Sequence, residues 1–474
     1  VLTRIDIENF RCIETACLEF DARATGIIGA NASGKTSLLE AIYFLGHGRS
    51  FRSQARDKLL RSGADHFRIV ARLYPERRSN DIGPLPRCDE AGITSQDPSW
   101  MTEGAGPQDS IKDSTRDAAS AVRDAGWDQV AGVAGPTSRA GLVEDGLGRI
   151  PVKSTTDFGC SMGAGSNGPA GGSGSGYKAG WPTFESDANR APDIPGQREI
   201  VAGIEYAGGA TRAHVAGRGV GGISEIAAML PIQVIDPGIH RLIEEGSVRR
   251  RRLMDWGVFH VEHEFLGLWR RYHRALVQRN AALKTTASLE VISAWEQELE
   301  KAGSAVNTLR VAYIERLAPY FEQITARLIG GDVRFVYRQG WAADQDLGVA
   351  LQASRARDLR LKSTQVGPHR ADLAFLIDGE PARDRVSRGQ QKMLAAAFIL
   401  SQLALRVAEQ APRACLMLDD PAAELDVDNL GKLLTVIADI PAQLIVTSVH
   451  QRGLRGLGVA RMFHVEQGRF RTMV

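Results

Sequence analysis

The chain has 474 residues, with 58 Lys+Arg against 56 Asp+Glu and a net charge of +2. A hydrophobic fraction of 43% can build a real core, which excludes wholesale disorder, and the length suggests two or three domains. The near-balance of charge excludes a global attractive field, so any nucleic-acid contact has to come from a local basic patch. The first strand signal is the alternation Leu2-Thr3-Arg4-Ile5-Asp6-Ile7, and Gly26-Ile27-Ile28-Gly29 is a short buried run. The spacing of Leu38, Leu39, Ile42 and Leu45 predicts a helix from Thr36 to Leu45, apolar on one side. Residues 67–73 return to strand.

From about Pro75 to Pro195 no period is sustained, and 14 of the 50 residues between 131 and 180 are glycine. This is linker chemistry, and the expectation is a disordered insertion, with too little apolar surface to offset ordering entropy. Pattern resumes at Arg198–Ile204, which should pair with the strand ending at Leu73, because a long loop adds little closure entropy. Helical spacing dominates residues 253–328, through Phe265, Leu268, Tyr272, Leu276 and Leu283, then Trp295, Leu299, Leu309 and Tyr313. Strands return from Val333, a helix follows Ser387, and further strands are expected at 415–418 and 443–447.

Five scattered cysteines (Cys12, Cys17, Cys88, Cys160 and Cys415) include no C-x-x-C pair, which speaks against a disulfide scaffold or a structural zinc site. The N-terminus has no apolar leader core, and no run approaches the ~20 apolar residues of a membrane span. The expectation is a cytoplasmic protein with no membrane partner.

Gly29-Ala30-Asn31-Ala32-Ser33-Gly34-Lys35-Thr36 fits G-x-x-x-x-G-K-[ST] at every fixed position, between an expected strand and an expected helix. The glycines let backbone N–H groups wrap phosphates, and the helix N-terminus favours their charge. Lys35 is expected to reach the β- and γ-phosphates, and the Thr36 hydroxyl to ligate Mg²⁺. Such a loop needs a carboxylate at the end of a neighbouring strand. Cys415-Leu416-Met417-Leu418-Asp419-Asp420 supplies it: Asp419 is the metal-side candidate, and Asp420 the candidate for polarising an attacking water.

Ser387-Arg388-Gly389-Gln390 opens a helix 32 residues before Asp419. This resembles the signature of ABC-type ATPases, usually L-S-G-G-Q, with Arg388 in place of the first glycine. The resemblance implies that Ser387, Arg388, Gly389 and Gln390 bind the γ-phosphate held by a second subunit. Pro421–Asp426 resembles the D-loop of that superfamily, and Leu444–Ser448 its switch strand, with Ser448 at the usual histidine position and His450 two residues later.

More particular words are Glu8-Asn9-Phe10-Arg11, Gly46–Arg52, the run Arg249–Trp256, Gln278–Leu283 and Gly367–Leu373. Together they resemble the RecF family of bacterial recombination mediator ATPases over about 1–75 and 197–474. That resemblance implies an α/β fold: an ABC-type P-loop ATPase lobe from 1–75, 197–237 and 333–474, a helical second lobe at 238–332, and the insertion at 76–196. It also implies an ATP-dependent homodimer that binds single-stranded or gapped DNA and acts with RecO and RecR in replication, recombinational repair and SOS induction, with a weak ATPase as a switch. Candidate DNA contacts are Arg49, Arg52, Arg249, Arg250, Arg251 and Arg252, read as a collective patch. The competing readings are an ATP-binding transporter subunit, an SMC-like structural protein, and a nucleotide-binding scaffold without turnover. The missing L-S-G-G-Q weighs against the first, the lack of sustained heptads weighs against the second, and the shorter Asp420 in place of the usual glutamate permits the third.

Overall fold

The computed structural model describes residues 1–53, 55–74, 199–285, 288–454 and 457–473, so the insertion expected at 76–196 lies outside the described residues. The chain opens with strands β1 (Leu2–Phe10), β2 (Ile13–Glu19) and β3 (Ala24–Ile28), then helix α1 (Lys35–His47) and strand β4 (His66–Leu73). Beyond the insertion come β5 (Ile200–Ala207), β6 (Ala210–Val215) and β7 (Arg218–Val220). The antiparallel order is β2-β1-β4-β5-β6-β7. The pairing of β4 with β5 runs from His66↔Ala207 to Leu73↔Ile200, as expected, so the insertion leaves and re-enters between neighbours in one sheet.

Next follow α2 (Ser224–Met229), β8 (Ile232–Ile235), and three helices: α3 (Ser247–Val261), α4 (Phe265–Lys284) and α5 (Leu289–Leu328). The chain returns through β9 (Val333–Arg338), α6 (Leu347–Leu361), β10 (Asp372–Ile377) and β11 (Glu380–Pro381), where β9, β10 and β11 form a small antiparallel sheet. It ends with α7 (Arg388–Ala408), β12 (Cys415–Asp419), α8 (Val427–Ala438), β13 (Gln443–Ser448), β14 (Arg461–Glu466) and β15 (Arg469–Met473). The second six-stranded sheet has the order β15-β14-β3-β13-β12-β8, parallel throughout except at the β14–β15 hairpin.

The alternation of side chains along β12 places this sheet between two cores. Cys415 and Met417 join Leu38, Leu39, Ile42, Phe10, Phe67 and Ile204, while Leu416 and Leu418 join Leu394, Phe398 and Leu403 of α7. Helix α1 is therefore buried nearly all round, whereas the sequence pattern suggests one apolar side. It lies between two sheets, so even Glu40 is fully buried and answered by Arg11 at 2.6 Å.

Helix α5 is longer than its broken apolar spacing suggests, with 40 residues running through Pro319, about 60 Å at 1.5 Å per residue. It doubles back along α4, as the pairs Arg279–Glu296 and Arg271–Glu298 show. Two buried arginines tie the helices to the rest of the chain. Arg279 meets Asp358 at 2.7 Å and Glu296 at 2.8 Å. Arg310 grips both oxygens of Asp255, at 2.8 and 2.9 Å, and donates to the Pro368 carbonyl at 2.7 Å. No helix among the described residues is long and apolar enough to cross a membrane.

Candidate nucleotide-binding site

The loop from Gly29 to Thr36 leaves the carboxyl end of β3 and turns into α1. Ala32 (φ 62°) and Gly34 (φ 118°) both take positive φ, the alternation that turns successive N–H groups toward one concavity. Gly34 is required there, since a side chain would be strained at that φ and its Cβ would press on Gly468 and Cys12. Gly29 has a different reason: a Cβ would come within 2.4 Å of the Val465 carbonyl of β14. The turn between β14 and β15 also braces the loop, with the Gly468 amide donating to the Ser33 carbonyl at 2.7 Å. No sequence pattern pointed to that hairpin as part of the site.

Ala30, Asn31 and Ala32 are exposed, while Ser33, Gly34 and Lys35 are buried. The Lys35 ammonium donates to the carbonyls of Gly29 (2.7 Å) and Ala30 (3.0 Å). The group expected to reach phosphates thus also closes the loop on itself. Burial lowers its pKa, against the opposing pull of Asp420 and Asp419. Among the described residues the Ser33 hydroxyl oxygen is buried without a hydrogen-bond partner.

Thr36 and Asp419 are 383 residues apart in the chain, yet the Thr36 hydroxyl lies 3.1 and 3.0 Å from the two Asp419 carboxylate oxygens. Burial raises the Asp419 pKa, and the hydrogen bonds from Thr447 and Thr36 work against that shift. Asp420 follows in the left-handed region (φ 48°, ψ 55°), and both adjacent carboxylates act on the Lys35 ammonium. Oxygen donors from Thr36 and Asp419 beside a phosphate cradle suit Mg²⁺, a hard cation that prefers few protein ligands and keeps waters. The residues present thus fit both a nucleotide triphosphate and its metal.

Ser387 caps α7: its hydroxyl accepts from the Gln390 amide at 3.3 Å, and the Gln390 side chain accepts from the Ser387 amide at 3.1 Å. Ser387, Arg388 and Gln390 are exposed, and the Arg388 side chain reaches Glu244 at 3.6 Å. The hydrogen bonds of this cap stay within its own turn and none reaches the Gly29–Thr36 loop. Lys392, one turn into α7, is ion-paired with Glu424 in the segment after Asp420.

The candidate arginines separate into two groups. Arg49, Arg52, Arg249 and Arg252 line one cleft of about 850 Å³, joined there by Arg56 and Arg383 and by the carboxylates Asp236, Glu244 and Glu245. Arg250 and Arg251 are corrections. Arg250 forks onto Asp372 at 2.8 and 3.0 Å and donates to the Glu245 carbonyl at 2.6 Å. Arg251 donates to Ser247 and to the Ala371 carbonyl. Arg250 thus joins α3 to β10 and Arg251 joins it to the residue before that strand, and neither lines the cleft. A run of four arginines in a helix must point in several directions at 100° per residue.

Residues 1–75 match the model of the RecF/RecN/SMC N terminal domain. A DNA replication and repair protein RecF of Thioalkalivibrio sulfidiphilus is 34% identical over 60% of this chain and 82% of its own length. The protein of the same name from Shewanella baltica is 28% identical over 99% of this chain and 98% of its own. Among solved structures, the recombination mediator protein RecF with ATP aligns with a TM-score of 0.67 at 19% identity, over 100% of this chain and 97% of that one, a likeness of fold.

Proposed function

Because this chain belongs to the RecF family of DNA replication and repair proteins, we propose that it binds ATP with Mg²⁺ at the Gly29–Thr36 loop and uses that binding to pair with a second copy on DNA. The observation that carries this reading is the meeting of Thr36 with Asp419 at 3.0 Å beside Lys35, at the mouth of the Gly29–Thr36 loop. In this reading the N–H groups of residues 30–36 and Lys35 hold the phosphates, and Thr36 and Asp419 hold the metal. Asp420 orients a water. Bound ATP supplies the triphosphate charge and the bond that water can cleave, so hydrolysis resets a switch.

The exposed cap Ser387-Arg388-Gly389-Gln390 supports a role toward a partner's γ-phosphate, because it is a solvent-accessible helix N-terminus that a second copy could approach. The arginine cleft lined by Arg49, Arg52, Arg249 and Arg252 is the candidate surface for DNA phosphates. The binding would be independent of sequence and weakened by salt, with a slope of about 0.7 to 0.9 per neutralised phosphate. RecO and RecR are the partners proposed on the family's account, at single-stranded or gapped DNA. A transporter subunit is not favoured, since the relatives are RecF proteins along nearly the whole chain.

Sedimentation of the full chain with and without ATP, Mg²⁺ and DNA tests the reading. A mass that doubles only with ATP and Mg²⁺, and tighter DNA binding in that state, is expected. A monomer under all conditions would overturn it, and measured turnover would separate a switch from a scaffold.

A further inference from the structure

Strand β13 lies parallel to β12 in a register that sets Thr447 directly opposite Asp419. Thr447 is fully buried, and its hydroxyl sits between two groups of the neighbouring strand end. It donates to Asp419 Oδ1 at 2.8 Å and accepts from the backbone N–H of Asp420 at 3.0 Å. The Leu418 carbonyl, at 3.5 Å, is too distant to compete for the single hydroxyl proton. One side chain thus uses both its donor and its acceptor on two consecutive acidic residues.

We propose that Thr447 is the positioning residue of this site: its hydroxyl holds the Asp419 carboxylate toward Thr36 and pins the left-handed turn at Asp420. This inference rests on the nucleotide reading above and adds to it a residue that touches neither phosphate nor metal. The physical need is specific. A buried carboxylate with one fixed bond and one partner on another element can rotate, and a non-glycine residue with positive φ persists only where its surroundings hold it. Thr36 belongs to the helix that must answer ligand, so its bond to Asp419 is open to exchange. Thr447 lies behind the carboxylate on a central strand, and its hold is independent of what Thr36 does.

The test compares Thr447→Val, which keeps shape and loses the hydroxyl, with Thr447→Ser, which keeps the hydroxyl. ATP binding to the full chain is measured in EDTA and across a Mg²⁺ titration. In the valine variant, binding in EDTA is expected to be unchanged, while the Mg²⁺ needed for half-maximal tight binding rises about ten-fold, the loss of one charge-assisted hydrogen bond. The serine variant should titrate like wild type. Thr447→Ala repeats the comparison should the valine variant not fold. A valine variant that titrates like wild type overturns the proposal, as do valine and serine variants impaired alike or a loss of binding in EDTA as well. In all of these the wild type binds ATP; a wild type that binds none would instead overturn the nucleotide reading itself, and this inference with it.

Discussion

Lys35, Asp419 and Asp420 carry charge in a site that already satisfies part of it. Because Lys35 holds the Gly29 and Ala30 carbonyls, Lys35→Ala should do two things: abolish ATP binding by calorimetry and lower the stability of the nucleotide-free chain by about 1–3 kcal/mol as those carbonyls lose their donor. Unchanged ATP affinity would refute the loop assignment. For Asp419 the stability consequence is read through pH. Burial raises its pKa, so the folded chain holds that proton more tightly than the unfolded chain does. The ionised carboxylate therefore weighs against the nucleotide-free fold, and stability gains as pH falls from the raised pKa toward the ordinary aspartate value. Asp419→Asn should accordingly leave the thermal midpoint level or higher while weakening Mg²⁺-dependent binding. In the wild type, Mg²⁺-dependent binding should fade as acidification passes the raised pKa of Asp419, above the ordinary aspartate value. Asp420→Asn should instead slow turnover and prolong the ATP-bound dimer. Equal effects from the two aspartate changes would remove the division of roles.

Helix α5 is joined to α3 and to the 367–373 segment by one buried fork, Arg310 on Asp255 and on the Pro368 carbonyl. Removing one member of such a pair strands the other charge, so Arg310→Ala should cost roughly 3–5 kcal/mol in denaturant unfolding. A loss below about 1 kcal/mol would mean that water or a neighbour replaces the guanidinium. At α7 the consequence is different, because the helix start is exposed. Ser387→Arg loses the capping hydroxyl, worth about 1 kcal/mol, and puts a bulky cation where a partner's phosphate is proposed to sit. ATP binding to the monomer should survive and ATP-driven dimerisation should fail in sedimentation. A variant that still dimerises would show that this cap is only a cap.

Across the whole molecule, the antiparallel register of β4 and β5 closes at Leu73↔Ile200. Residues 80–193 can therefore be replaced by a short turn without moving either strand, and a shorter connection lowers closure entropy. Such a chain should keep ATP-dependent dimerisation and equal or slightly higher stability. Insoluble protein, or loss of ATP binding, would mean that the deleted segment contributes to the fold. The same scale explains the family-like words at 249–256, 278–283 and 367–373. They supply Arg250 and Asp255, Arg279, and Pro368 and Asp372, the groups that knit the helices to β10 and α6, so these stretches serve the architecture.

Local chemistry determined what could be read along the chain. The glycine spacing from 29 to 34, the Ser387 cap and the acidic end of β12 are each defined within a few residues, because turns, caps and strand ends depend on neighbours in sequence. The β4–β5 pairing was legible too, from two alternating runs on either side of a patternless stretch. What spans the chain was not. The switch-strand resemblance marks the run Leu444–Ser448 but assigns Thr447 no role, since its partners Asp419 and Asp420 come from a parallel strand whose register only the assembled sheet sets. The bracing of Ser33 by Gly468 arises in the same way, from a hairpin more than 400 residues away in sequence. The arginine run 249–252 looked like one surface, but helical rotation divides it, sending Arg249 and Arg252 to the cleft and Arg250 and Arg251 into the join with β10. Sequence determines which groups are available and their local conformation; burial, register and helix rotation decide which of them meet.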